Sequence, residues 1–176
     1  MRATPHVRKA GHMRSIVVMG VSGSGKTTIA SGLALRLGSE YIDADWLHSP
    51  ESIAKMAAGQ PLDDVDRSPW LHLVGQRMKT AESDEMRTVV ACSALKRTYR
   101  DILREYVPDV FFVFLDGSLA QIRERIATRK SGVPASLLTS QFATLKGLQD
   151  DELGIRVDIS FSPQEIIDQI VEKLGA

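Results

Sequence analysis

The stretch Gly20-Val21-Ser22-Gly23-Ser24-Gly25-Lys26-Thr27 satisfies the spacing G-x-x-x-x-G-K-[ST]. Its glycines let the backbone curl until successive N–H groups point inward at phosphate oxygens. A helix opening at Lys26 would add the partial positive charge of its N-terminus. Gly20, Ser22, Gly23, Ser24, Gly25, Lys26, Thr27 and Thr28 are therefore the expected cradle for the phosphates of a nucleotide. Lys26 is expected to reach the terminal phosphates, and the Thr27 hydroxyl to ligate Mg²⁺.

More chemistry lies where other apolar runs end. Asp43 and Asp45 close the second such run, with His48 just beyond. Alternation along a strand puts both carboxylates on one face. Beside Lys26 and a metal ion they suggest divided work: one holds metal-bound water, the other takes a proton from an attacking hydroxyl. His48 is expected to serve the acceptor substrate. Asp116 also ends an apolar run and ranks second for the metal. Lys96, Arg97 and Arg100 crowd the start of a helix, where cations oppose the helix dipole and a bound anion would relieve them. Arg125 and Arg129 stack four residues apart on one helix face, leading into a loop with Gly132 and Pro134. Arginines there are placed to close over transferring phosphates. Arg123 falls on another face and is assigned to solvent. His72 is read as structural, and no His/Cys cluster has zinc spacing.

The elements that must carry these residues alternate. Apolar runs over 15–19, 41–45, 88–92, 110–115 and near 155–159 read as strands. Between them come helical stripes: Ile29, Leu33 and Leu37; a segment capped by Ser49-Pro50; one opening at Ser68-Pro69 with Leu71, Val74 and Met78; Tyr99, Ile102, Leu103 and Tyr106. Later helices are signalled by a capping box at Ser118 and Gln121, by apolar residues between Leu137 and Leu145, and by Ser162 with Glu165. Such alternation predicts an α/β fold, a five-stranded parallel sheet covered on both faces. Ligands of open parallel sheets bind at the carboxyl ends of the strands, so the named residues should converge on one cleft.

The chain of 176 residues has the size of one domain, expected over 15–176 with a lid at about 130–147. Residues 1–14 carry four basic residues and no acid, and read as a disordered tail. Lys plus Arg equals Asp plus Glu, which argues against nucleic acid as a partner. A single cysteine excludes an internal disulfide, and no apolar run approaches a membrane span. A cytoplasmic location is expected.

Beyond the phosphate loop, several stretches resemble gluconokinase of the small-kinase type: Asp43-Ala44-Asp45-Trp46-Leu47-His48, Lys55-Met56, Gly59-Gln60-Pro61-Leu62, Asp64-Val65-Asp66-Arg67-Ser68-Pro69-Trp70-Leu71, and Cys92-Ser93-Ala94-Leu95-Lys96 with Tyr99-Arg100-Asp101. The resemblance implies a three-layer, nucleoside-monophosphate-kinase-like P-loop fold with a lid, usually a homodimer. It implies ATP- and Mg²⁺-dependent phosphorylation of D-gluconate on its 6-hydroxyl. By resemblance, Asp45, His48, Arg67 and Lys96 line the sugar-acid site and Arg129 lies at the lid. Together with the residue chemistry, this gives Lys26, Asp45 and Arg129 as catalytic, Arg125 and Arg129 on the nucleotide, and Thr27 with Asp43 on the metal. The lid departs from the family pattern at 129–133 and at Thr144-Leu145-Lys146-Gly147-Leu148. The competing expectations are a kinase for another hydroxy acid of the shikimate kind, a nucleotide-dependent switch, and a nucleotide-binding protein without turnover.

Overall fold

The structure, a computed structural model, describes residues 15–129 and 133–176, with Arg129 described by its backbone alone. The expected basic tail at 1–14 lies outside the described residues. β1 (Ile16–Met19) and β3 (Thr88–Ala91) are buried throughout, and β4 (Phe111–Asp116) is buried up to its final carboxylate. Strands covered on both faces need this unbroken apolar composition. β2 (Glu40–Asp43) and β5 (Gly154–Asp158) form the edges and are only partly buried. The order is β2-β3-β1-β4-β5, and every pairing is parallel. The expected five-stranded parallel sheet is present.

Right-handed crossovers then decide which helix covers which face. α1 (Lys26–Leu37) and α7 (Pro163–Leu174) pack together on one side, and α3 (Asp64–Ser83) and α4 (Arg97–Tyr106) on the other. Gly75 permits the close approach of α3 to α4, because a Cβ there would strike the Tyr106 ring. α2 (Pro50–Ala57), α5 (Leu119–Arg129) and α6 (Ala135–Thr144) complete the chain. The caps read from the sequence form: Ser49 on α2, Ser118 with Gln121 on α5, Ser162 with Glu165 on α7. Among the described residues no helix is long and apolar enough to cross a membrane.

Two boundaries differ from expectation, and both matter at the site. β2 stops at Asp43, and Ala44–Leu47 form a 3₁₀ turn. The Asp43 carboxylate accepts the Asp45 N–H at 3.0 Å and so caps that turn. The expectation that Asp43 and Asp45 share a strand face is thereby corrected: a local side-chain hydrogen bond outcompetes continuation of the ladder. α3 begins at Asp64, not at Ser68, because Asp63 and Asp66 cap it reciprocally at 2.8 and 3.0 Å. Arg67 thus sits on the first turn of a helix. Pro69 is carried inside it, without the hydrogen bond its nitrogen would otherwise donate.

Candidate active site

The loop between β1 and α1 adopts the strained backbone its glycines were read to permit. Gly20, Gly23 and Gly25 all have positive φ. At Gly20 a Cβ would lie 2.8 Å from Ser24 Oγ and 3.0 Å from the Leu115 carbonyl, so no other residue fits. Gly25 precedes α1 without offering a side-chain cap, leaving the first N–H groups of the helix for a ligand. Ser22, Gly23, Gly25, Lys26, Thr27 and Thr28 line a cavity of about 280 Å³ together with Asp45, Arg125, Ile126 and Val133. This is a cradle for an anion. Lys26 Nζ donates to the Val21 carbonyl at 3.0 Å. Burial lowers the pKa of Lys26, with Asp45 the largest opposing influence, then Cys92 and Asp43.

The 3₁₀ turn carries Asp45 into this cavity, which Asp43, the cap of that turn, does not line. Asp43 Oδ2 accepts from the Tyr41 hydroxyl at 3.2 Å. Trp70 on α3 fixes the turn by donating its indole N–H to the Ala44 carbonyl at 2.7 Å. The same indole stacks on His48, with ring centroids 4.2 Å apart and planes 15° from parallel. His48 is buried, and its Nδ1 meets no hydrogen-bond partner among the described residues. A lone pair is cheaper to leave unpaired there than an N–H, so the proton belongs on Nε2, which faces Asp45 Oδ1 at 3.8 Å. Burial lowers the pKa of His48, Asp45 opposes this and Arg67 reinforces it. The ring is neutral near pH 7 and presents a donor toward the carboxylate.

Arg67 lies over the Tyr99 ring at 5.7 Å and donates its Nε to the Leu62 carbonyl at 3.2 Å. Lys96 lies 5.4 Å from the same ring, and its Nζ donates to both Asp64 oxygens at 2.8 and 2.9 Å. Leu62, Asp63, Asp64, Val65, Lys96, Tyr99 and Thr144 line a second, shallow and open depression of about 380 Å³. Lys96, Arg97 and Arg100, read as cations that a bound anion would relieve, each meet an acid from the chain itself. Arg97 pairs with Asp101 and Asp151, and Arg100 with Glu152, while Lys96 holds Asp64. Arg100 is wholly buried and also donates to the Ala94 carbonyl at 3.0 Å. Ala94 has φ 41°, a left-handed backbone costly for a residue with a Cβ. Arg100 therefore pins a strained turn whose next residues place Lys96.

Arg125 donates to the carbonyls of Ser24 and Ile159, and so lies against the phosphate loop. With Ser24, Gly25, Thr28, Ile29, Thr128, Phe161, Pro163 and Ile166 it borders a mainly apolar cavity of about 260 Å³, which suits a flat heterocycle beside the phosphates. The expected role of Arg129 rests on a side chain outside the described residues. Asp116 is held by Arg156 and does not line the phosphate cavity, which leaves its metal role without support. Arg123 is exposed, and His72 Nδ1 meets the Tyr106 hydroxyl at 2.9 Å, a structural contact. Cys92 is buried and its thiol is pushed up to about 12 by burial, so it holds its proton. The sequence reading missed the acidic partners Asp64 and Glu152. It also missed Gln141 on α6, whose carboxamide contacts Ser22. None of the three lies near its partner in sequence.

The fold and the phosphate cradle define a P-loop phosphotransferase, and the family model that matches residues 22–174 is that of shikimate kinase. Within this class other likenesses are narrower. The chain is 43% identical to a gluconokinase of Gluconobacter oxydans over 164 residues, covering 93% of this chain and 92% of that one. A gluconokinase structure from Sinorhizobium meliloti superposes with a TM-score of 0.86 at 42% identity, covering 93% of each chain. A sugar kinase from Janibacter superposes with a TM-score of 0.89 at 49% identity, covering 93% of this chain and 95% of that one. The chain belongs to the gluconokinase family.

Proposed function

We propose that this protein transfers the γ-phosphoryl group of ATP to the 6-hydroxyl of D-gluconate, giving 6-phospho-D-gluconate and ADP. The observation that carries the reading is that Asp45 lines the same cavity as Lys26 and Thr27, with His48 Nε2 3.8 Å from its carboxylate. The phosphate loop and the first turn of α1 bind the triphosphate, and the apolar cavity beside Arg125 takes the base. Lys26 neutralises the charge that grows on the phosphate oxygens. Asp45 accepts the hydroxyl proton as the new O–P bond forms and the bond from phosphorus to the β-phosphate oxygen breaks. His48, whose Nε2 lies 3.8 Å from Asp45, is placed to donate to a substrate hydroxyl. Arg67, and Lys96 within its pair with Asp64, take the acid group of the sugar.

The donor set also suits Mg²⁺. That ion prefers few protein ligands and many phosphate and water oxygens, and among the described residues no group of three or more acids, His or Cys forms a closed metal cage. The exposed Thr27 hydroxyl would hold it, with Asp43 behind. When bound, it would neutralise phosphate charge. The same reading makes Arg129 a lid arginine, and the active species a cytoplasmic homodimer built from one domain per chain, in keeping with the family resemblance.

The test is ATP consumption by purified protein with a panel of sugar acids and shikimate, beside a no-acceptor control. The expected result is turnover with gluconate and formation of 6-phospho-D-gluconate. Turnover with shikimate alone, or without acceptor, would replace this function with one of its rivals. Intact ATP binding without turnover on any acceptor would mean a binding protein.

A further inference from the structure

The phosphate loop is held from outside by a residue the mechanism above does not use. Ser22 N–H donates to Gln141 Oε1 at 2.6 Å, and Gln141 Nε2 donates to Ser22 Oγ at 2.9 Å. The two residues are 119 apart in sequence, and both are partly buried. A two-point bond of this kind fixes both the position and the rotation of its partner, which a single bond does not.

α6 is itself tied down on the acceptor side. Ser136 Oγ donates to the Gly59 carbonyl at 3.0 Å, in the turn that follows α2. Just past the helix, Lys146 N–H donates to the Leu95 carbonyl at 2.7 Å, next to Lys96. Leu138 is buried, and Phe142 and Leu145 pack against the core. One helix thus bonds the turn at Gly59, the strained loop before Lys96 and the phosphate loop.

We propose that Gln141 is a positioning residue for the nucleotide site: through α6 it sets the phosphate loop in register with the acceptor wall. The proposal rests on the phosphate loop binding ATP. Loss of the carboxamide frees the first half of the loop, so nucleotide must bind a loop it first has to order. Each hydrogen bond contributes about 0.5–1.5 kcal/mol net, so removal of both should weaken nucleotide binding by about 5–150-fold.

The test uses Gln141→Met, which keeps the side-chain length and loses both bonds, Ser22→Ala, which loses one, and the double variant. ADP affinity by calorimetry, which needs no acceptor, is read beside KM for ATP and for gluconate and beside the melting temperature of the free protein. Gln141→Met should weaken ADP binding and raise KM for ATP by one common factor of at least fivefold. KM for gluconate at saturating ATP should change less than about threefold, and the melting temperature by only a few degrees, since the contact is only partly buried. Ser22→Ala should give a smaller nucleotide defect, and the double variant should be no worse than Gln141→Met alone, since the two residues act through one contact. Unchanged ADP affinity in Gln141→Met would overturn the proposal, as would a double variant whose defect is the product of the single ones. A fall in melting temperature without a nucleotide defect would reduce Gln141 to a structural contact and overturn it too. Should Gln141→Met not fold, Ser22→Ala decides, and normal ADP affinity there counts against the proposal. Absence of gluconate turnover in the unaltered protein would instead strike the proposed function, and leaves the ADP measurement valid.

Discussion

Replacement of Glu152 by Gln tests how the site is held in place. Glu152 and Arg100 have fully buried side chains. The carboxylate accepts from Arg100 Nε and Nη2 at 2.7 Å each, from Arg104 Nη1 at 2.8 Å and from Gln149 N–H at 3.0 Å. Arg100 in turn donates to the carbonyls of Ala94, Lys146 and Gly147. Glu152→Gln removes the charge, leaves a buried guanidinium uncompensated, and turns an amide N–H₂ toward another donor. Breaking a buried pair from one side costs about 3–5 kcal/mol. At about 2–4 °C per kcal/mol for a chain of this size, the melting temperature should fall by about 6–20 °C. The pH dependence gives a second signature. Burial alone would raise the Glu152 carboxyl, but the hydrogen bonds from Arg100 and Arg104 overcome it and hold it at about 2, against an ordinary 4.5. A depressed carboxylate stabilises the fold above its unfolded pKa, and this is lost as pH falls toward the folded one. The unaltered protein should therefore shed this contribution between about pH 4.5 and pH 2, and Glu152→Gln should lack that part of the acid limb. The assay is a series of thermal melts by circular dichroism across this range. A variant that melts within about 2 °C of the unaltered protein at pH 7, well short of the fall the buried-pair cost implies, would refute the reasoning.

Other expectations concern the chemistry directly. Lys26→Ala should lower turnover by orders of magnitude with an unchanged circular dichroism spectrum, because the lysine acts most strongly on charge that develops in the transition state. Near-normal turnover in the folded variant would remove the phosphate-loop mechanism. Arg67→Ala and Lys96→Ala should raise KM for the acid more than KM for ATP, with Arg67→Ala the larger effect because Lys96 already neutralises Asp64. Steady-state kinetics with each substrate varied in turn gives the ranking. The opposite order would assign both residues to the nucleotide.

Much of this architecture is legible along the chain because its causes are local. The phosphate loop is contiguous, and the strand–loop–helix context around it follows from the apolar run at β1 and the stripe of α1. The five strands announce themselves by composition, and the caps at Ser49, Ser118 and Ser162 by spacing. Asp45 was expected on a strand because alternation cannot show that Asp43 will turn its carboxylate onto the next backbone N–H. The start of α3 lies upstream of the expected one for a related reason. Ser68-Pro69 is a good opening, but the Asp63 and Asp66 box lies upstream and wins. Lys96, Arg97 and Arg100 looked unbalanced only because their acids lie far off, Asp64 32 residues from Lys96 and Glu152 52 residues from Arg100. The Ser22–Gln141 contact belongs to the same class: tertiary, with no periodicity to betray it.

The central claim is that a carboxylate carried by the 3₁₀ turn into the phosphate cavity takes the proton of the attacking hydroxyl. Turnover of Asp45→Asn with gluconate at saturating ATP tests it most directly. The substitution keeps shape and a hydrogen-bonding oxygen while removing charge and basicity. The account predicts a fall in kcat of about 10²–10⁴-fold with ADP affinity little changed. Normal turnover would contradict it, as would a defect cured by added Mg²⁺ alone, which would make Asp45 a metal residue.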